Sequence, residues 1–256
     1  MKSLRELYRI GLGPSSSHTM GPRFAAQAFR ASLPAAVARI RVNLYGSLAA
    51  TGSGHLTDVA VSEPFSPLPV EIVWLPESLL PLHTNGMQFE ALDEAGHVVA
   101  SRIAYSVGGG ALLGEGGEPD GGEIIYPFSS MQEILAQTER EGSLISELVG
   151  QYEGEDFWDY LDGVWKSMKR AIERGLNAEG KLPGALHVQR KASDFHARAQ
   201  NMAGYFGQTA QLFAYALAVS EENAAGGEIV TAPTCGSCGV LPAASTCSRT
   251  KSMPRP

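Results

Sequence analysis

Two of the chain's three cysteines, Cys235 and Cys238, lie in the stretch Thr231-Ala-Pro-Thr-Cys-Gly-Ser-Cys-Gly-Val-Leu-Pro242. A glycine after each thiol lets backbone amides approach a cofactor, while Pro233 and Pro242 fix the entry and exit of the loop. Thiolates presented this way suit an iron–sulfur cluster or zinc. The same spacing also describes a surface turn with two free thiols, and one Cys-x-x-Cys without a second pair does not choose between them. A second chemical stretch, Gly11-Leu-Gly-Pro-Ser-Ser-Ser-His-Thr-Met-Gly-Pro22, gathers Ser15, Ser16, Ser17, His18 and Thr19 where a helix should begin. Hydroxyls and free amides at a helix N-terminus seat a carboxylate or another anion; the alternative is an elaborate cap with His18 exposed. A third stretch, Gly46-Ser-Leu-Ala-Ala-Thr-Gly-Ser-Gly-His55-Leu-Thr-Asp58, also ends in a histidine. A neutral imidazole near pH 7 can accept a proton, and Asp58 stands where it can orient His55 or simply face solvent. The loop contains no Gly-Lys-Ser/Thr, so it is not a Walker loop.

The elements that must position these residues follow from periodicity. Met1–Arg9 reads as a short amphipathic helix with Leu4, Leu7 and Tyr8 on one face. After the serine loop, Met20, Phe24, Ala28 and Phe29 keep helical spacing, with Ser17 or Thr19 as cap and Pro22 in the first turn. Arg39–Tyr45 alternates Ile40, Val42 and Leu44 as a half-buried strand, and Val70–Leu75 reads as another. Met87–Leu92 and His97–Ser106 form a hairpin across Asp93–Gly96. The glycine-rich run Ser106–Gly122 reads as a flexible linker or as a loop closing over a site, with composition favouring the linker.

From Ser129 the character becomes helical. Ser130-x-x-Glu133 is a capping box, and Phe157, Leu161, Val164, Met168 and Ile172 define a helix before Gly180. Phe195–Val219, apolar nearly all round, reads as one buried helix, with Trp158 and Trp165 as core. The expected fold class is α+β: an α/β domain over 1–128, a helical linker region over 129–180, and a helical domain over 181–256.

A chain of 256 residues has room for two domains at about 100–200 residues each. Its formal net charge of −7 argues against nucleic acid or an anionic membrane as partner. No apolar run is long enough to span a bilayer, and no signal peptide precedes Arg5 and Arg9. Three cysteines do not make a disulfide scaffold, so the expected compartment is reducing and cytoplasmic.

Four separated stretches, Pro14–Pro22, Gly46–His55, Glu221-Glu-Asn-Ala-Ala225 and Thr231–Gly239, together resemble the iron–sulfur-dependent bacterial L-serine dehydratases, in the single-chain form that fuses a β domain to an α domain. The likeness runs from about Lys2 to Ala243. It implies a [4Fe–4S] cluster held by three cysteines, with Cys238 as the first ligand and Cys235 its neighbour rather than a ligand. It also implies loss of water from L-serine to give aminoacrylate, which tautomerises and hydrolyses to pyruvate and ammonia. His18 and His55 are candidates for the base and for a partner that orients the substrate, and Ser15, Ser16, Ser17 and Thr19 for its carboxylate seat. The resemblance suggests a homodimer.

In relatives the other two ligands lie tens of residues beyond the first. Here Ser245-Thr-Cys-Ser-Arg-Thr-Lys-Ser-Met-Pro-Arg-Pro256 reads as basic and without helical periodicity, as a premature or shifted reading frame would produce, and Cys247 matches no family motif. Truncation of this kind would leave Phe195–Val219 under-covered. The alternative function is therefore a catalytically inactive amino-acid-binding protein that keeps the β domain. A pyridoxal phosphate lyase using Lys191 is discounted, because no phosphate-binding glycine loop accompanies that lysine.

Overall fold

The structure is a computed structural model that describes residues 1–119, 121, 122 and 124–252. It is an α+β fold. The first strand, β1 (Ile10–Leu12), leads through a π-helical turn at Ser16–Met20 into α1 (Gly21–Ala31). There follow β2 (Arg39–Tyr45), α2 (Gly46–Thr51), α3 (Thr57–Ser62), β3 (Val70–Leu75), β4 (Gly86–Leu92), β5 (Val98–Gly108) and β6 (Ala111–Gly114). The strands β2 to β6 form one mixed sheet in the order β3-β2-β4-β5-β6, with β2 and β3 parallel and the other pairs antiparallel.

The sheet's inner face and α1 make one core. Ile40, Val42 and Leu44 alternate inward from β2, and Met87, Phe89 and Ala91 do so from β4. Phe29 of α1 meets Phe65 and Phe89 with ring centroids 6.2 and 5.7 Å apart. Three buried aromatic side chains at one junction outweigh the marginal helicity of an 11-residue α1 taken alone.

The helical part comprises α4 (Met131–Glu141), α5 (Ile145–Glu153), α6 (Asp156–Asn177), α7 (Ala192–Gln200), α8 (Gly204–Ala224), the short strand β7 (Glu228–Val230) and α9 (Val240–Ser252). Helix α4 begins as expected: the Ser130 hydroxyl accepts from the Glu133 amide, while the Glu133 carboxylate accepts from the Ser129 amide. The two parts are stitched by β1 and β7, which pair antiparallel with Ile10 opposite Val230.

Six expectations are corrected. Met1–Arg9 does not form an amphipathic helix: a single 3-10 turn spans Leu4–Glu6, because Ser3 and the Leu4 amide bind the Glu153 carboxylate and the chain then enters the β1–β7 pair. The serine turn is capped by Ser15, whose hydroxyl accepts from the His18 amide, rather than by Ser17 or Thr19. The glycine-rich run is no linker, since β5 continues to Gly108 and turns through Gly108, Gly109 and Gly110, all at positive φ, into β6. Phe195–Val219 is two helices that break at Asn201–Ala203, and it is buried along one face only: Ala214, Ala218 and Val219 are buried, whereas Phe195, Tyr205, Phe206 and Phe213 are 44, 77, 73 and 64% exposed. Trp158, expected in the core, is 49% exposed. The stretch from Ser245 also differs from its reading, being helical within α9 as far as Ser252, with the rest outside the described residues.

Candidate active site

His18 sits within the π-helical turn, and both its ring nitrogens meet hydroxyls: Nδ1 lies 2.9 Å from Ser17 Oγ and Nε2 3.1 Å from Ser47 Oγ, in the first turn of α2. His55 closes a 3-10 turn after α2, its ring centroid 4.9 Å from that of His18. His55 Nδ1 is 2.9 Å from the Thr51 carbonyl oxygen. A carbonyl only accepts, so the neutral ring carries its proton on Nδ1 and leaves the Nε2 lone pair available. Burial, reinforced by the neighbouring His55, lowers the pKa of His18 below 6.5, against a smaller opposing effect of the hydrogen bond with Ser47.

The backbone beneath the two rings is cross-braced. The Thr19 hydroxyl donates to the His55 carbonyl and the Thr57 hydroxyl to the His18 carbonyl, both at 2.6 Å. Between His55 and Thr57, Leu56 adopts the left-handed conformation at φ 56°, which costs a leucine on the order of 1–2 kcal/mol. Such strain persists where surrounding contacts over-determine it and concentrates at functional positions. Leu56 reaches the turn after α8: a Cβ placed on Gly226 would stand 3.3 Å from its side chain.

The helical part grips the other side of the serine turn. Asn223, near the end of α8, donates from Nδ2 to the Pro14 carbonyl at 3.1 Å, and Gly13 donates from its amide to the Gly227 carbonyl at 3.1 Å. Gly13 lies so close that any Cβ there would come within 2.3 Å of Asn223. At the far end, a Cβ on Gly21 would approach Ser106 Oγ to 2.3 Å. A side chain larger than hydrogen fits neither contact.

The thiol loop follows β7. Thr231 and Arg9 exchange hydrogen bonds at 2.9 Å, and the Arg9 guanidinium donates to the Gly109 carbonyl at 2.8 Å. Cys235 and Cys238 are each 1% exposed and share an apolar cluster with Met20, Ile172, Val219 and Ile229. Met20 belongs to the His18 turn, so the thiols and the serine loop pack into one core. Burial pushes both thiols up to about 12, helped for Cys235 by Cys238. Among the described residues, no three His, Cys, Asp or Glu side chains gather as a metal site. A [4Fe–4S] cluster needs more cysteine ligands than this pair offers, so the donor set described here does not by itself fit that group.

Of the sequence candidates, the structure brings together Ser15, Ser17, His18, Thr19 and His55, with Ser16 buried in the same turn. Asp58 does not orient His55, whose Nδ1 is held by Thr51, and Asp58 Oδ1 has no hydrogen-bond partner among the described residues. Sequence reasoning missed Ser47 and Thr57. It also missed Asn85 and Ser106, which are 7 and 0% exposed. Their main chains and the Asn85 amide nitrogen bond one another, leaving Asn85 Oδ1 and Ser106 Oγ unpartnered among the described residues. The Thr84 carbonyl just before Asn85 accepts from the Ser47 amide at 3.0 Å, which sets this pair beside the His18 turn. A buried acceptor left open is unfavourable by itself, but neither residue carried a sequence signal, because their partners lie in other strands.

Two family models match the chain in order: the serine dehydratase beta chain over residues 3–67 and the serine dehydratase alpha chain over residues 84–253. L-serine dehydratase 1 of Escherichia coli (strain K12) is 36% identical, with 95% of this chain and 65% of the relative aligned. L-serine dehydratases of Streptomyces coelicolor and Helicobacter pylori are 35 and 32% identical, each over 94% of this chain and 64% of the relative. The chain thus spans about 65% of the length of the curated relatives it matches.

Proposed function

The chain belongs to the serine dehydratase family, and from that premise we propose that its site acts on L-serine, eliminating water to give aminoacrylate, whose imine tautomer is hydrolysed by water to pyruvate and ammonia. The observation that carries this reading is the histidine pair, one ring with a free basic nitrogen and the other held between two hydroxyls. The α-hydrogen of serine is a weak acid, and a positioned general base contributes typically about 10²–10⁴-fold in rate. His55 Nε2 is that base. His18 lies against it, neutral at pH 7, so no second positive charge opposes the proton's arrival.

Substrate recognition rests on the serine turn. The hydroxyls of Ser15, Ser16 and Ser17 face the carboxylate, with Thr19 holding the His55 carbonyl beneath them. Behind that turn, Asn85 Oδ1 and Ser106 Oγ are buried acceptors without a partner among the described residues. Glycine at 21 leaves room for Ser106 to approach the turn.

The resemblance implies a [4Fe–4S] cluster, to which Cys238 would contribute one thiolate. Such a group would supply Lewis acidity, but the described donor set does not by itself hold it. Burial disfavours the Cys238 thiolate and pushes its pKa up to about 12, a cost that any thiolate ligation there would have to offset.

The test is anaerobic reconstitution of the chain with iron and sulfide, followed by a pyruvate assay on L-serine and thermal melting with and without L-serine. Turnover that vanishes in His55→Asn supports the reading. A colourless chain that L-serine still stabilises retains binding without catalysis; at about 100 Kd of ligand the expected gain is about 2.7 kcal/mol. Absence of both turnover and stabilisation rejects the reading.

A further inference from the structure

We propose that Asn223 is a positioning residue: from α8 it fixes the turn that carries His18 at a set height along that helix. The inference rests on the reading of that turn as catalytic. Asn223 lies one helical turn beyond Val219, whose carbonyl is 3.9 Å from Cys238 Sγ. One face of α8 therefore touches the thiol loop at Val219 and the serine loop at Asn223. An α-helix rises about 1.5 Å per residue, so these two points are about 6 Å apart on a rigid rod.

The contact is specific in its chemistry. The Pro14 carbonyl can only accept, so the amide nitrogen of Asn223 must face it. That orientation turns Asn223 Oδ1 toward Gly13, where it has no hydrogen-bond partner among the described residues. A buried acceptor is left open so that the donor can reach Pro14, one residue before Ser15, whose hydroxyl accepts from the His18 amide. Only glycine at 13 allows this approach. Asn223 differs in this from its neighbours. Glu221 accepts from the Lys191 and Ala192 amides at the start of α7, and Glu222 pairs with Arg174 and Arg190, so both act within the helical part.

The test compares the unaltered chain with Asn223→Leu, which keeps the branched shape and removes the donor without adding charge, and with Asn223→Ala should the leucine variant fail to fold. Two quantities are read: kcat/KM for L-serine after reconstitution, and the titration of His18 by its ring C2 proton. Thr138→Ala, at a buried threonine on α4 remote from the site, serves as a control for a general loss of stability. The expected result is a fall in kcat/KM of at least about ten-fold and a His18 titration moved up toward 6.5 as the turn leaves its seat, with neither change in Thr138→Ala. An Asn223 variant that melts lower but keeps both the His18 titration and kcat/KM would overturn the proposal. If the unaltered chain shows no turnover, the reading of the turn as catalytic fails, and the His18 titration still decides the role of Asn223.

Discussion

His18 and His55 are tied twice, once ring to ring at 4.9 Å and once through a reciprocal pair of 2.6 Å hydrogen bonds in which each carbonyl accepts from a threonine beside the other histidine. The two loops therefore move as one unit. Thr57 is fully buried, and Thr57→Val leaves the His18 carbonyl without its donor. A lost partner of this kind costs about 1–3 kcal/mol. Urea denaturation should show that loss, and kcat should fall with it because the rings separate.

Protonation of His18 is opposed in the folded chain by burial and by His55. Its folded pKa lies below the unfolded value of 6.5, so above pH 6.5 both states are neutral and the group contributes nothing to pH dependence. As pH falls through 6.5 the unfolded chain takes up a proton that the folded chain resists, and stability declines. Denaturation midpoints at pH 7.5 and pH 5 should differ less in His18→Gln than in the unaltered chain. The acid limb of kcat/KM should respond to the same substitution.

Glu222 is a buried carboxylate shared by Arg174 at 2.9 Å and Arg190 at 3.0 Å. Glu222→Ala takes the carboxylate from Arg190, only 11% exposed, while Arg174 keeps its hydrogen bond to the Glu228 carbonyl. Breaking a buried pair from one side typically costs about 3–5 kcal/mol. The lower end is expected here because Arg174 is 39% exposed. An unchanged urea midpoint would refute this.

Cys235 and Cys238 are buried beneath Met20 and Val219, whereas Cys247 is half-exposed. In the metal-free chain, N-ethylmaleimide should label Cys247 first at pH 8, with the pair following at least about ten-fold more slowly. In denaturant all three should react alike. Peptide mass spectrometry over a time course separates these outcomes.

Much of this fold was legible because its strands alternate cleanly: Ile40, Val42 and Leu44 announce β2, and Met87, Phe89 and Ala91 announce β4. The serine and histidine loops were legible for their unusual composition. The N-terminal segment misled because its partner, Glu153, lies about 150 residues away. The glycine-rich run misled because composition does not distinguish a supple connection from a tight β5–β6 turn held by Arg9. Asn85 and Ser106 gave no local signal, since what marks them is burial without a full set of partners.

The pairing of Ile10–Leu12 with Glu228–Val230 bears on how the molecule comes into being. During synthesis the segment that leads into the serine turn emerges early, yet the strand that receives it is made more than two hundred residues later. The five-stranded sheet can collapse on the ribosome, but its histidines remain without their helical backing until that late strand arrives. Long-range closure of this sort is slow relative to local folding. The bracing of the site should therefore appear abruptly once residue 230 has emerged, and nascent chains released before residue 230 should hold a folded sheet and an unfinished site.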